Sequence, residues 1–178
     1  MMQTSPLRWL QFLPVLFFFI FSSCSTSTGI DDFYTFNVAK AGSFSVSPQV
    51  VLHQDVTMPF QIVIDSADLI TSPTLQTSLA NIKSAELTKL TFSTPASFPM
   101  TDFDTLRLIA SSDSLADLTL ATYSGAQDLV YFTDADFGAY VKKPSTHYSI
   151  IYRANKAPSQ TVNINTSYTL VLTAAPLQ

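Results

Sequence analysis

Cysteine is almost missing from this chain: Cys24 is the only one, so no internal disulfide can form. A lone thiol also leaves no Cys pair for zinc, and the two histidines, His53 and His147, form no His-Glu-Xaa-Xaa-His stretch. No metal and no cofactor are therefore expected. Glycine is nearly as scarce, with Gly29, Gly42, Gly125 and Gly138 scattered singly. That spacing gives no Gly-Xaa-Ser-Xaa-Gly elbow for a nucleophilic serine and no tight Asn-Gly hairpin. Glutamate is reduced to Glu86, so nearly all the acid is aspartate. Aspartate favours turns and caps, whereas glutamate favours helix interiors, so long helices are not expected. Nine lysines and arginines face thirteen acids. A phosphate backbone needs a basic stripe, and nucleic acid is not an expected partner.

Long apolar runs are also few, and one stands out. Residues 9–21 are almost wholly apolar, follow the single basic residue Arg8, and end in Ser22-Ser23-Cys24. A short apolar core closed by small residues has the layout of a secretory signal peptide. It is too short for a membrane span, which needs about 20 consecutive apolar residues. The only cysteine stands where the signal ends. Phe21-Ser22-Ser23-Cys24 resembles the lipobox of bacterial lipoproteins, in which the thiol is diacylated and the signal is cut just before it. Phe21 departs from the pattern, where leucine is usual. The resemblance implies lipidation of Cys24, removal of residues 1–23 and a partner in the membrane itself. Two or more acyl chains anchor stably where one is marginal, at about 0.8 kcal/mol per buried methylene.

Cutting 23 residues from 178 leaves 155, one domain's worth. A chain of that size buries about 68–70% of its unfolded surface and needs neither disulfide nor metal to hold a core. Trp9, the only tryptophan, leaves with the signal. Residues 24–32 read as the lipidated cysteine and a polar tether, and residues 33–178 as the folded domain. By resemblance to the sorting rule of such lipoproteins, Ser25 after the cysteine implies the outer membrane, since Asp at that place favours retention in the inner one.

Strand signals begin at Phe33. Residues 35–39 and 43–47 read as short strands parted by Lys40-Ala41-Gly42. Pro48 and Pro59 bracket a weaker extended stretch, and the apolar run 60–65 suits a strand covered on both faces. A short helix is expected around residues 75–82. Residues 85–93 resume as strand, with Leu90 and Phe92 on one face. Residues 94–103, with Pro95 and Pro99, form a loop. Leu106, Leu108 and Ala110 alternate with Arg107 and Ile109. A turn at Ser112-Asp113-Ser114 leads to strands at 118–123 and 129–132. Thr133 is placed to cap a helical turn carrying Asp134 and Asp136 at its positive end. Tyr148, Ile150 and Tyr152 share a face, and from Val162 the even positions alternate with polar odd ones over twelve residues. About seven to nine strands spaced about ten residues apart predict an all-β, antiparallel β-sandwich, immunoglobulin-like or jelly-roll, with one or two short helical turns.

The signal, the tether, the strand 84–92 and Phe103-Asp104-Thr105-Leu106 leading into another strand together resemble small β-sandwich envelope lipoproteins of Bacteroidota. The resemblance implies an address and a fold and carries over no catalytic residue. Three tripeptides, Asp65-Ser66-Ala67, Asp104-Thr105-Leu106 and Asp113-Ser114-Leu115, resemble the O-glycan acceptor site of exported proteins in that group. Ser66, Thr105 and Ser114 are the acceptors this implies; ordinary turn chemistry explains the same residues. Asn165-Thr166-Ser167 matches the N-glycan sequon inside a strand and is read as idle. Asp134-Ala135-Asp136 fails the calcium-loop pattern, because Gly138 stands at its fifth position and Ser145 at its twelfth. The expectation is a non-catalytic module that binds a protein or a carbohydrate or serves structurally. Its rival is an Asp-dependent glycan hydrolase, whose two acids would need a fixed gap.

Overall fold

Every even-numbered residue of the strand Val162–Ala174 is buried and every odd one faces outward or is half-exposed, as the alternation requires. The computed structural model describes residues 33–72, 75–126 and 129–177. In chain order the strands are β1 (Tyr34–Val46), β2 (Asp55–Phe60), β3 (Ile70–Ser72), β4 (Leu75–Gln76), β5 (Ile82–Ser93), β6 (Phe103–Ser112), β7 (Leu115–Ser124) and β8 (Leu129–Phe132). The helix α1 (Gly138–Val141) precedes β9 (His147–Ala154) and β10 (Val162–Ala174). One sheet has the order β1-β10-β5, the other β2-β9-β6-β7-β8, and β3 with β4 makes a small hairpin. All the pairings are antiparallel. The molecule is an antiparallel β-sandwich.

The first two long strands pair with the last two in nested fashion, β1 with β10 and β2 with β9. That is jelly-roll wiring, and an immunoglobulin sheet, which pairs its first strand with its second, does not have it. The arrangement departs from a full jelly roll at β8, which joins β7 instead of returning to the first sheet.

The apolar faces meet in one core. Phe98, Phe103 and Phe137 are among its largest fully buried side chains. Phe98 comes from the proline-bounded loop after β5 and packs edge-on against Phe103 at 5.1 Å, which in turn meets Tyr152 at 5.6 Å. Tyr152 continues to Phe44 of the opposite sheet at 6.0 Å. A loop residue thus closes one end of the core. Burying an aromatic of this size contributes roughly 1.5–3 kcal/mol.

Several strand boundaries differ from the sequence expectation. The two stretches expected as separate strands are one, β1 (Tyr34–Val46), running straight through Lys40-Ala41-Gly42. Gly42 marks a close approach there: a Cβ would lie 2.9 Å from the Phe60 ring and 3.1 Å from Thr166 Oγ1. Pro59 lies inside β2, opposite Ser149. β2 is an edge strand, where a missing N–H costs no ladder bond. Of the run 60–65, expected as a strand, only Phe60 lies in one, at the end of β2, and residues 61–65 belong to neither sheet. The helix expected near residues 75–82 is a single 3-10 turn, Leu79–Asn81.

In β5 the two-residue period switches face, and the pairing with β10 explains it. Lys89 faces Thr169 but Leu87 faces Leu170, so Thr88 is an extra residue; Lys83 is a second one between Ser84 and Ile82. Each bulge shifts the phase by one residue. The buried set is accordingly Leu90, then Leu87 and Ala85, then Ile82.

Candidate functional site

Three surfaces carry chemistry, and the residues singled out in the sequence are distributed over all of them. The first is the outer face of the five-stranded sheet. Asp55 on β2 sits opposite Arg153 on β9, beside β6 with Arg107. Arg153 donates through Nε to Asp55 Oδ1 at 3.0 Å, and Arg107 Nη2 donates to Oδ2 at 2.8 Å. Both oxygens accept from guanidinium groups, so this carboxylate ties three neighbouring strands together.

Just beyond it, His53 occupies the left-handed region with φ 59°. Its N–H donates to the Ala154 carbonyl at 2.9 Å, and its Nδ1 donates to Asp104 Oδ2 at 2.9 Å. Asp104 is itself the extra residue of a bulge, between the pairs Phe103–Ala154 and Thr105–Arg153. An imidazole oriented by a carboxylate is half of a proton-transfer device. Both partners here are at the surface, and the pair holds the loop after β1 against the start of β6. His147 lies exposed at the start of β9, with Nδ1 donating to the Ser145 carbonyl at 3.4 Å.

The three implied O-glycan acceptors do not converge. Ser66 is exposed in the turn after β2, where Asp65 Oδ1 accepts from the N–H groups of Ala67 and Asp68, an Asx turn. Lys40 Nζ reaches Asp65 at 3.0 Å and Asp68 at 2.7 Å. The hydrogen bond from Lys40 holds the Asp65 carboxyl below the usual carboxylate range, and the hydrogen bonds to Asp68 first and Asp65 second raise the lysine. Ser114 is exposed in the turn joining β6 to β7 and accepts from Lys143 Nζ. Thr105 is half-buried near the opposite end of β6, roughly 24 Å of strand from that turn. Ser66 and Ser114 stand in accessible turns, and Thr105 stands in a paired strand. The sequon residue Thr166 is buried in the middle strand of the other sheet. Cys24 lies outside the described residues.

The second surface surrounds Asp136, and here the expected helix cap is corrected. The helix α1 starts at Gly138, and its N-cap residue Phe137 makes no side-chain cap bond. Thr133 points elsewhere, donating to the carbonyls of Thr119 and Leu120. Asp136 Oδ1 instead accepts from Gly138 N–H at 2.8 Å and from Ala85 N–H at 2.9 Å. One carboxylate oxygen thereby fastens the start of α1 to β5. Asp136→Ala leaves two amides without that acceptor, one of them on the fully buried Ala85. We expect a loss of about 2 kcal/mol, seen as a melting temperature lower by about 4–8 °C, while Asp136→Asn retains an acceptor and loses less than half as much. Equal melting temperatures for all three proteins would show that the bond contributes nothing. Among the described residues, no group of three His, Cys, Asp or Glu is placed to hold a metal ion.

The third surface is a cleft of about 210 Å³ lined by Ile62, Val63, Ile64, Leu79, Tyr140, Val141, Lys143, Thr146 and Tyr148. It exists because the run 62–64 leaves the sheet and passes beside α1 and the first residues of β9. Burial pushes the Tyr148 hydroxyl up to about 12, with Tyr168 nearby adding to the shift. That phenol therefore stays protonated at neutral pH and offers a donor, not a base. Small-molecule sites usually measure about 300–1,000 Å³, so this cleft suits a partner's side chain better than a whole ligand. The sequence held one signal for it, an apolar run too close to the Ser66-Ala67-Asp68 turn to continue as a long strand.

The chain matches no protein-family model, no curated protein and no solved structure.

Proposed function

We propose that this is an envelope lipoprotein, acylated at Cys24 after removal of residues 1–23, whose sandwich is a non-catalytic binding or structural module. The observation that carries the reading is the apolar run 9–21 ending in Ser22-Ser23-Cys24, set directly before a polar tether and an independently cored domain. Ser25 after the cysteine supports an outer-membrane address. The non-catalytic part is supported by what the surface carboxylates do. Asp55 is clamped by two arginines, Asp65 and Asp68 by Lys40, Asp104 by His53, and Asp136 by two backbone amides. Each of these carboxylates is occupied by a structural contact. The partner is a protein or a glycan, met through exposed loops and the shallow cleft.

Expressing the full chain in a bacterium tests the anchor. The product should lack Trp9, incorporate a fatty-acid probe, and have the mass of residues 24–178 plus two or three acyl chains. Cys24→Ser should abolish the label and leave residues 1–23 attached or cut elsewhere. Unlabelled protein that retains Trp9 refutes the reading. Turnover of a polysaccharide or ester that is lost with one aspartate would establish the hydrolase instead.

A further inference from the structure

Of the large apolar side chains left exposed, several gather at one end of the sandwich. Phe33 is 46% exposed, Ile70 54%, Leu79 37% and Leu177 53%. Backbone contacts bring them together. The Ala175 N–H donates to Asn81 O at 3.1 Å and the Leu177 N–H to Gln76 O at 2.8 Å. Gln76 is the β4 partner of Ile70, and Tyr34, next to Phe33, pairs with Ala174. Val63, 51% exposed, adjoins this group through the cleft it shares with Leu79. Lys83 lies over the Phe33 ring at 5.3 Å. It is the ammonium itself that sits over that ring, on an exposed residue from which it also reaches an anionic headgroup.

This is also the end at which the chain enters the domain. Residues 25–32 separate Cys24 from Phe33, and they span at most about 30 Å when extended. A lipid on Cys24 would therefore keep this end, and not the far end of β1, within reach of the bilayer. Apolar side chains gathered into one exposed patch mark a surface that meets a partner or a membrane. We propose that the end bearing Phe33, Ile70, Leu79 and Leu177 lies on the membrane that holds the anchor, with these side chains in the headgroup zone and Lys83 at the phosphates. Interfacial apolar groups of this kind enter about 5–10 Å into the headgroup and acyl boundary. The docking fixes orientation. It turns the opposite loops, with Val51, Leu52 and His53, away from the bilayer and toward a partner. The inference rests on the lipoprotein reading given above.

The mature chain contains no tryptophan once Trp9 is removed, which makes a single introduced one an unambiguous reporter. Phe33→Trp and Leu52→Trp are each made in the full chain, processed in a bacterium, purified with their acyl chains and placed in phosphatidylethanolamine–phosphatidylglycerol vesicles. Lipids brominated on the acyl chains then serve as quenchers. The tryptophan at 33 should emit to the blue of that at 52 and lose about half its intensity, while the one at 52, roughly 40 Å away along β1, is unaffected. Acylated protein in which both positions are quenched alike overturns the docking and leaves the anchor standing. Protein without an acyl chain on Cys24 overturns the anchor, and the docking with it.

Discussion

Gly125→Ala should yield no folded protein. An added Cβ at this position would lie 1.9 Å from the Phe103 carbonyl oxygen and 3.0 Å from its carbon, well inside any real contact distance. The obstacle is backbone, so no rotamer change relieves it. Neither side is free to move. Phe103 is fully buried and wedged between Phe98 and Tyr152. Gly125 itself is held by its N–H donating to the Asp104 carbonyl at 2.9 Å, where β7 ends beside β6. Relief would require parting β6 from β7 or expelling Phe103 from the core. Either costs more than about 4–5 kcal/mol, a large share of the 5–15 kcal/mol that holds a typical domain. Ala126→Ser, an exposed neighbour in the same turn, should stay within about 0.5 kcal/mol of the parent. Denaturant unfolding followed by circular dichroism distinguishes the two. A Gly125→Ala protein with the parent's midpoint would show that the turn does not approach Phe103 in this way.

The parts of this fold that were legible in the sequence are those with undisturbed pairing. β10 runs opposite β1 without a register shift, and β9 runs so opposite β2, so their period of two survives from end to end. β8 has the bounds its composition suggests, and the β6–β7 turn falls at Asp113-Ser114 as expected. Where a bulge intervenes, local pattern misleads. Thr88 looks like an ordinary strand residue and Lys83 falls just before the strand read from the sequence, and only the partner strand reveals that each is supernumerary. Gly42 and Pro59 read as breakers because their local cost is visible, whereas the facts that permit them are not. Gly42 makes room for the Phe60 ring, and Pro59 sits on a sheet edge. Which strands would share a sheet was equally hidden, because β1 meets β10 across nearly the whole chain.

The same limit applies to the surface chemistry. His53 and Asp104 were separately visible as a histidine in an irregular stretch and an acid before a strand. Their pairing depends on a left-handed residue and a bulge that no local pattern announces. Asp55 meets Arg153 only because β2 returns to β9, the penultimate strand. By contrast Ser66 and Ser114 lie in turns, because Asp followed by Ser is itself turn chemistry. That local chemistry is also why the tripeptides alone do not identify glycan acceptors.

Leu170→Asp should be as damaging as the glycine replacement, for a different reason. Leu170 is fully buried in the middle strand of the three-stranded sheet, between its register partners Val38 on β1 and Leu87 on β5. Truncation alone, Leu170→Ala, should cost about 2–5 kcal/mol through lost transfer and a cavity. A carboxylate adds a charge with no partner in an apolar core, so the total exceeds what the domain can spare. Ser167 tests the facing of the strand. It lies on the exposed side of the same strand and shares a hydrogen bond with Thr91. Ser167→Asp disturbs the geometry of that bond while its charge stays in water, a cost of at most about 1 kcal/mol. Thr169→Asp should also be tolerated, because Lys89 is its register partner on β5 and an opposite charge across the ladder is favourable. Unfolding midpoints should therefore fall steeply at position 170 and slightly at 167 and 169. Comparable losses at all three would mean that β10 does not present its even-numbered residues to the core.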